Sequence, residues 1–156
     1  MEHGSKALTL LLVEDSAADV YLVREALRWE GLVVELQVAE DGEAATQILD
    51  RAESEPPDLA LVDLNIPRKT GIEVLEQIRR SPRCKAIPVI VISSSDSAAD
   101  RQRAFAAGAV EYFHKPSTLD EFLSLGRLVR ALCPEDPRER SQQRVTQQSR
   151  GSDDNG

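Results

Sequence analysis

The chain has 156 residues, 41% hydrophobic and 29% charged, with a formal net charge of -8 and a pI near 4.8. This composition fits one globular domain of ordinary size. The acidic balance speaks against a nucleic-acid or anionic-membrane surface, both of which reward clustered Lys and Arg, so the expected partners are proteins or small cations.

The first apolar run, "LTLLLV" (8–13), is too short to span a membrane and stops at two acids, Glu14 and Asp15. It reads as a strand, with no signal peptide or anchor before it. Three more runs rich in branched aliphatics, "LVVELQVA" (32–39), "LALVDL" (59–64) and "PVIVIS" (88–93), also read as strands, and "AVEYF" (109–113) after Gly108 makes a fifth. The second run alternates more than the others, which suits an edge strand.

Helical periods lie between them. Val20, Val23 and Leu27 recur at three and four, closed by Gly31 in the place of a helix C-cap. Ala45, Ile48, Leu49 and Ala52 repeat the pattern, and Ile72, Leu75 and Ile78 follow Gly71 and end before Pro82. From Ala98 to Ala107 the segment is Ala-rich with Phe105 as its one bulky apolar residue, so this helix is expected to be the most exposed. The last helix carries Leu119, Phe122, Leu123, Val129 and Leu132, and opens with Thr118 and Glu121 at capping-box spacing.

Strand and helix thus alternate five times, over connections too long for hairpins. That order predicts an α/β fold, a parallel sheet covered by helices on both faces. Residues 1–6 are expected to be a flexible N-terminus and 7–133 the folded domain. The segment 134–156 has Val145 as its single aliphatic residue and cannot bury enough apolar surface to order itself, so it is expected to be a disordered tail. Cys84 and Cys133 lack metal-ligand spacing and point to two inert thiols in a reducing cytoplasm.

In open parallel sheets the crevice for chemistry lies beyond the carboxyl ends of the strands. The first strand ends there in Glu14 and Asp15, the third in Asp63 with Asn65 two residues on, the fourth in Ser93, and the fifth runs into Lys115 and Pro116. Any one of these alone is ordinary; their coincidence at one edge is the signal. Clustered carboxylates raise one another's pKa values unless positive charge enters, and Lys115 supplies only one unit. A hard divalent cation held by oxygen ligands, Mg²⁺, fills the gap, whereas Zn²⁺ would call for Cys or paired His. A cation, an ammonium and a hydroxyl around a carboxylate suit phosphoryl chemistry with the carboxylate as nucleophile.

"LLVEDSAADVYLVREAL", "LALVDLNIPRKTGIEVLEQIR", "IPVIVISSS" and "VEYFHKP" together resemble the receiver domain of two-component response regulators, over about residues 7–132. Within that family, "VEDS", "DLNIPRKTG" and "SSS" are most similar to stand-alone regulators paired with phytochrome-type histidine kinases. The resemblance implies a flavodoxin-like, doubly wound, five-stranded parallel sheet of order 2-1-3-4-5 with five helices. It makes Asp63 the phosphoacceptor, with Glu14, Asp15, Asp63 and the Asn65 backbone carbonyl around Mg²⁺. It gives Ser93 and Lys115 to the phosphoryl oxygens, and Ser93 with Tyr112 to the conformational switch. It also implies a cis peptide at Lys115–Pro116. Ser93 stands where Thr is commoner, and Ser94 where Ala or Gly leaves more room for the phosphodonor. His114 beside the lysine matches no family role and reads as an exposed imidazole; His3 has none either. Pro67, Gly71 and the residues between them shape the loop after Asp63, where Gly can supply a positive φ.

The implied partners are a sensor histidine kinase, with a histidine phosphotransfer domain or another output protein, or a second copy of the chain as a homodimer. The output face is expected on helix four, strand five and helix five. An inert module of the same shape would usually lose an acid or the lysine, and all are present. A haloacid dehalogenase-type phosphohydrolase expects a second Asp where this chain has Asn65. A flavin-binding flavodoxin needs a phosphate-cradling loop where Glu14 and Asp15 would repel it.

Overall fold

The computed structural model describes residues 7–51 and 55–133. In chain order the elements are β1 (Leu8–Val13), α1 (Ala17–Trp29), β2 (Val34–Ala39), α2 (Gly42–Leu49), β3 (Leu59–Asp63), α3 (Gly71–Arg80), β4 (Val89–Ser93), α4 (Ala98–Ala106), β5 (Glu111–His114), α5 (Leu119–Phe122) and α6 (Ser124–Leu132). The strands form one parallel sheet in the order β2-β1-β3-β4-β5. The last two helices are one helical segment interrupted at Leu123, whose backbone stays in the right-handed helical region. The fold is therefore the expected five-stranded, five-helix arrangement.

Strand alternation divides the core in two. Leu11, Val13, Ala60, Val62, Val89 and Val91 face α2, α3 and α4, where Ala45, Leu49, Val74, Leu75, Ile78 and Ala104 meet them. Leu10, Leu12, Leu59, Leu61, Ile90 and Ile92 face the other way, onto Val23, Leu27, Phe122, Leu125 and Val129 of α1, α5 and α6. β3 and β4 are buried at every position, as their unbroken apolar runs require, and β2 is the half-exposed edge. In α4 only Ala104 is buried, and Phe105 faces outward.

Side-chain caps set the helix starts at the sheet's carboxyl edge. Ser16, Asp41, Thr70, Ser97 and Thr118 each accept a backbone N–H from the first turn of the helix they precede. Thr70 and Glu73 form a complete capping box, so the loop after Asp63 ends at a fixed point. Gly31 closes α1 at φ 78°. Gly71 differs from expectation: its φ is not positive, and the left-handed residue of the loop is Arg68 at φ 69°. Glycine is required at 71 because a β-carbon there would press on the Asp63 carbonyl and lie 2.7 Å from Leu64 Cα.

Cys84 and Cys133 are buried thiols outside any disulfide. Among the described residues no helix is long and apolar enough to cross a membrane. The expectations for residues 1–6, Ala52 and 134–156 fall outside the described residues.

Candidate functional site

Three strand ends build the site. Glu14 follows β1 and is 1% exposed, Asp63 closes β3 at 5%, and Asp15 beside Glu14 is exposed. Glu14, Asp15 and Asp63 each offer a carboxylate oxygen, and these oxygens lie within 4.8 Å of one another. Lys115, one residue past β5, crosses the carboxyl edge to join them. Its Nζ donates to Glu14 Oε1, Asp63 Oδ2 and Asp19 Oδ2, each at 2.7 Å.

The backbone fixes both ends of this arrangement. Asn65 N–H donates to Asp63 Oδ1 at 2.9 Å, and Ser16 N–H donates to Glu14 Oε2 at 3.1 Å, so neither buried carboxylate is left to rotate. Lys115 N–H donates to the Ser93 carbonyl at 2.8 Å and so continues the β4–β5 ladder beyond the strand. The Lys115–Pro116 bond is not cis, contrary to expectation, since no cis peptide occurs among the described residues. The trans form is the lower-energy isomer for X–Pro, and from this anchored backbone the ammonium already reaches Asp63.

The electrostatics are those of an acid cluster short of positive charge. Burial pushes the Glu14 carboxyl up to about 7; hydrogen bonds from Lys115 and Ser16 oppose that rise, and the Asp63 charge adds to it. Burial alone would lower the Lys115 ammonium, but its bonds to Asp19, Asp63 and Glu14 hold it above its ordinary value. One ammonium faces four carboxylates here. An all-oxygen, acid-rich set of this kind fits a hard divalent cation and offers no soft ligand for Zn²⁺.

Ser93 is fully buried at the end of β4, beside Asp63 in the sheet through the Asp63–Ile92 register. Its Oγ accepts from Ser95 N–H at 3.0 Å. Tyr112 on β5 is buried, and its hydroxyl donates to the Ser95 carbonyl at 2.8 Å. Arg101 of α4 lies over the Tyr112 ring, 4.7 Å from its centroid. Ser93 and Tyr112 therefore meet at one residue, Ser95, in the loop that leads to α4. His114 is exposed as expected, with Nε2 at 3.1 Å from the Ser94 carbonyl.

A family model described as the response regulator receiver domain matches residues 10–126. The chain belongs to that family. Response regulator Rcp1 of Synechocystis sp. is 41% identical to this receiver over 103 residues, 64% of this chain and 70% of Rcp1. The crystal structure of the phosphorylated cyanobacterial phytochrome response regulator RcpA matches with a TM-score of 0.75 at 32% identity, covering 81% of this chain and 94% of RcpA. The Mn²⁺-bound form of Rcp1 matches with a TM-score of 0.72 at 34% identity, covering 80% and 92%.

Sequence reasoning missed Asp19. Its position in the first turn of α1 is one where an acid is ordinarily explained by the helix dipole. The available signal was its place one turn beyond Glu14 and Asp15, behind the Ser16 cap.

Proposed function

We propose that this receiver accepts a phosphoryl group on Asp63 from a phosphohistidine of a partner kinase and thereby switches its contacts with an output protein. The observation that carries this reading is the meeting of Glu14, Asp63 and the Lys115 ammonium, bonded at 2.7 Å, at the carboxyl edge of the sheet.

Glu14, Asp15, Asp63 and the Asn65 backbone carbonyl would hold Mg²⁺, and the existence of a Mn²⁺-bound form of the similar Rcp1 supports divalent-cation binding by this receiver. When bound, the cation supplies charge neutralisation for the oxygens of the transferred group. The residues of the chain do the rest. An Asp63 oxygen attacks phosphorus; the P–N bond to the donor histidine breaks as the new O–P bond forms, and the leaving imidazole nitrogen keeps the electron pair and takes up a proton. Lys115 trades its bond to Asp63 for one to a phosphoryl oxygen. Ser93 turns its hydroxyl toward another, releasing the Ser95 N–H it now accepts from. That change reaches Tyr112 through the Ser95 carbonyl, and from there the surface of α4 and β5.

RcpA is described as a phytochrome response regulator, which favours a phytochrome-type histidine kinase as donor. A histidine phosphotransfer domain or a second copy of the chain are the output partners this reading expects, with a cytoplasmic site of action. The test is incubation with a small phosphodonor and Mg²⁺ followed by intact mass, for the wild type and Asp63→Asn. One added phosphoryl group in the wild type alone is the expected result. Unchanged wild-type mass across several donors would instead make the domain an inert interaction module.

A further inference from the structure

Lys115 has a third partner that the proposed chemistry does not use. Asp19 belongs to α1, where its backbone N–H donates to the Ser16 cap at 3.2 Å, while its carboxylate Oδ2 accepts from Lys115 Nζ at 2.7 Å. An ammonium has three N–H donors, and Glu14, Asp63 and Asp19 take one each. The pairing is sheltered, with 12% of the Lys115 side chain and 25% of the Asp19 side chain exposed.

The three acceptors are not equivalent. Glu14 and Asp63 belong to the carboxylate set whose oxygens converge within 4.8 Å, and Asp19 does not. A lysine held by Glu14 and Asp63 alone would spend its whole charge on two carboxylates of that set. A third acid on the α1 side, bonded to the same nitrogen at the same 2.7 Å, takes a share of that charge. It competes for the lysine without competing for the metal.

We propose that Asp19 is a positioning residue that acts through Lys115, taking one of its three N–H bonds and a share of its charge so that Glu14 and Asp63 can take a divalent cation. The inference rests on the metal-site reading above and adds to it a residue outside the ligand set. Losing Asp19 lets Lys115 settle on Glu14 and Asp63, and the metal must then displace a better-seated ammonium.

A double-mutant cycle on the full chain tests this, with Mn²⁺ alone as the probe and titration calorimetry as the readout. Far-UV circular dichroism and melting confirm folding of each variant. Asp19→Asn keeps the size and the backbone cap, and is expected to bind Mn²⁺ about three- to ten-fold more weakly than wild type, in the lower range of couplings between bonded groups. Asp19→Glu, which keeps the charge, should recover most of that loss. In a Lys115→Met background, or Lys115→Gln if the first does not fold, Asp19→Asn should change Mn²⁺ binding by less than about two-fold. An equal loss in both backgrounds would mean that Asp19 attracts the cation directly and would overturn the inference. So would unchanged affinity of Asp19→Asn in the wild-type background. Failure of the wild type itself to bind Mn²⁺ would overturn the metal-site reading and this inference together, which distinguishes the two failures.

Discussion

Gly42, the first residue of α2, faces the backbone of Lys69 so closely that a β-carbon at 42 would lie 2.8 Å from the Lys69 carbonyl oxygen and overlap its Cβ. The same residue donates its N–H to the Pro67 carbonyl at 3.2 Å. Arg68, between these two contacts, reaches Glu43 at 3.3 Å. The loop that follows Asp63 is thus clamped to the start of α2. Gly42→Ala must push the two apart, and the modest gain in helix propensity does not offset the overlap. The variant should lose about 1–3 kcal/mol in urea unfolding. An unchanged or raised midpoint would show that the loop can yield.

Tyr112 offers a second test. Its hydroxyl bond to the Ser95 carbonyl ties it to the β4–α4 loop, and the Arg101 guanidinium of α4 lies over its ring. The bond from Arg101 also holds the Asp96 carboxyl below its ordinary value, and the Ser95 hydroxyl does the same for Asp100. Tyr112→Phe removes one hydrogen bond and keeps the ring, so the stability loss should be about 0.5–1.5 kcal/mol. Amide hydrogen exchange should quicken at Ser95–Ser97 and stay unchanged at β3. Uniform quickening would mean a global effect without any coupling through Ser95.

Much of this was legible in the sequence because burial on both sheet faces leaves a pattern that survives in one dimension. β3 and β4 are unbroken apolar runs, and each ends in the residue that the site uses, Asp63 and Ser93. The capping box at Thr70 and Glu73 was equally readable from spacing and was passed over. Contacts made by side chains across the fold leave no such trace. Four strands separate Asp19 from Lys115 in chain order, and only the converged edge brings them to 2.7 Å. The need for glycine at 42 arises likewise from a neighbour in another loop, not from its own φ. The positive φ expected at Gly71 falls instead on Arg68, since the loop turns before the α3 cap.

Arg79 at the end of α3 fastens two distant loops. Its Nη2 and Nε donate to the Gly108 carbonyl at 2.6 and 3.2 Å, and its Nη1 to the Ile87 and Lys85 carbonyls at 2.7 and 3.0 Å. Burial lowers its pKa, yet a guanidinium stays charged at any working pH. Arg79→Met keeps the apolar stem and leaves these carbonyls without their donor, for an expected loss of about 2–4 kcal/mol in urea unfolding. Arg79→Lys should recover only part of it, because one ammonium cannot reproduce the planar fork across three carbonyls. Full recovery by lysine would reduce the role of Arg79 to its charge.

Glu14 gives the protein a pH dependence of a sign opposite to that of most salt-bridged acids. Its folded carboxyl titrates at about 7, chiefly because it is buried, against 4.5 for the ordinary group. Between those values the folded chain keeps a proton that the unfolded chain has lost, so unfolding releases it and stability falls as pH rises. Below the lower value both states are protonated and the residue contributes nothing; above the upper one the whole penalty is present, up to about 3 kcal/mol. Urea unfolding in chelator at pH 5 and pH 8 should therefore show a loss in the wild type that Glu14→Gln, neutral throughout, lacks. Acids away from the cluster titrate alike in both proteins, so the difference between them reports Glu14 together with the Asp63 and Lys115 groups that its charge acts on. A divalent cation binds the ionised form and should reverse the loss, stabilising the wild type more at pH 8 than at pH 5. Parallel pH profiles for the two metal-free proteins would show that Lys115 already keeps Glu14 ionised in the fold, and that the acid cluster needs no further positive charge.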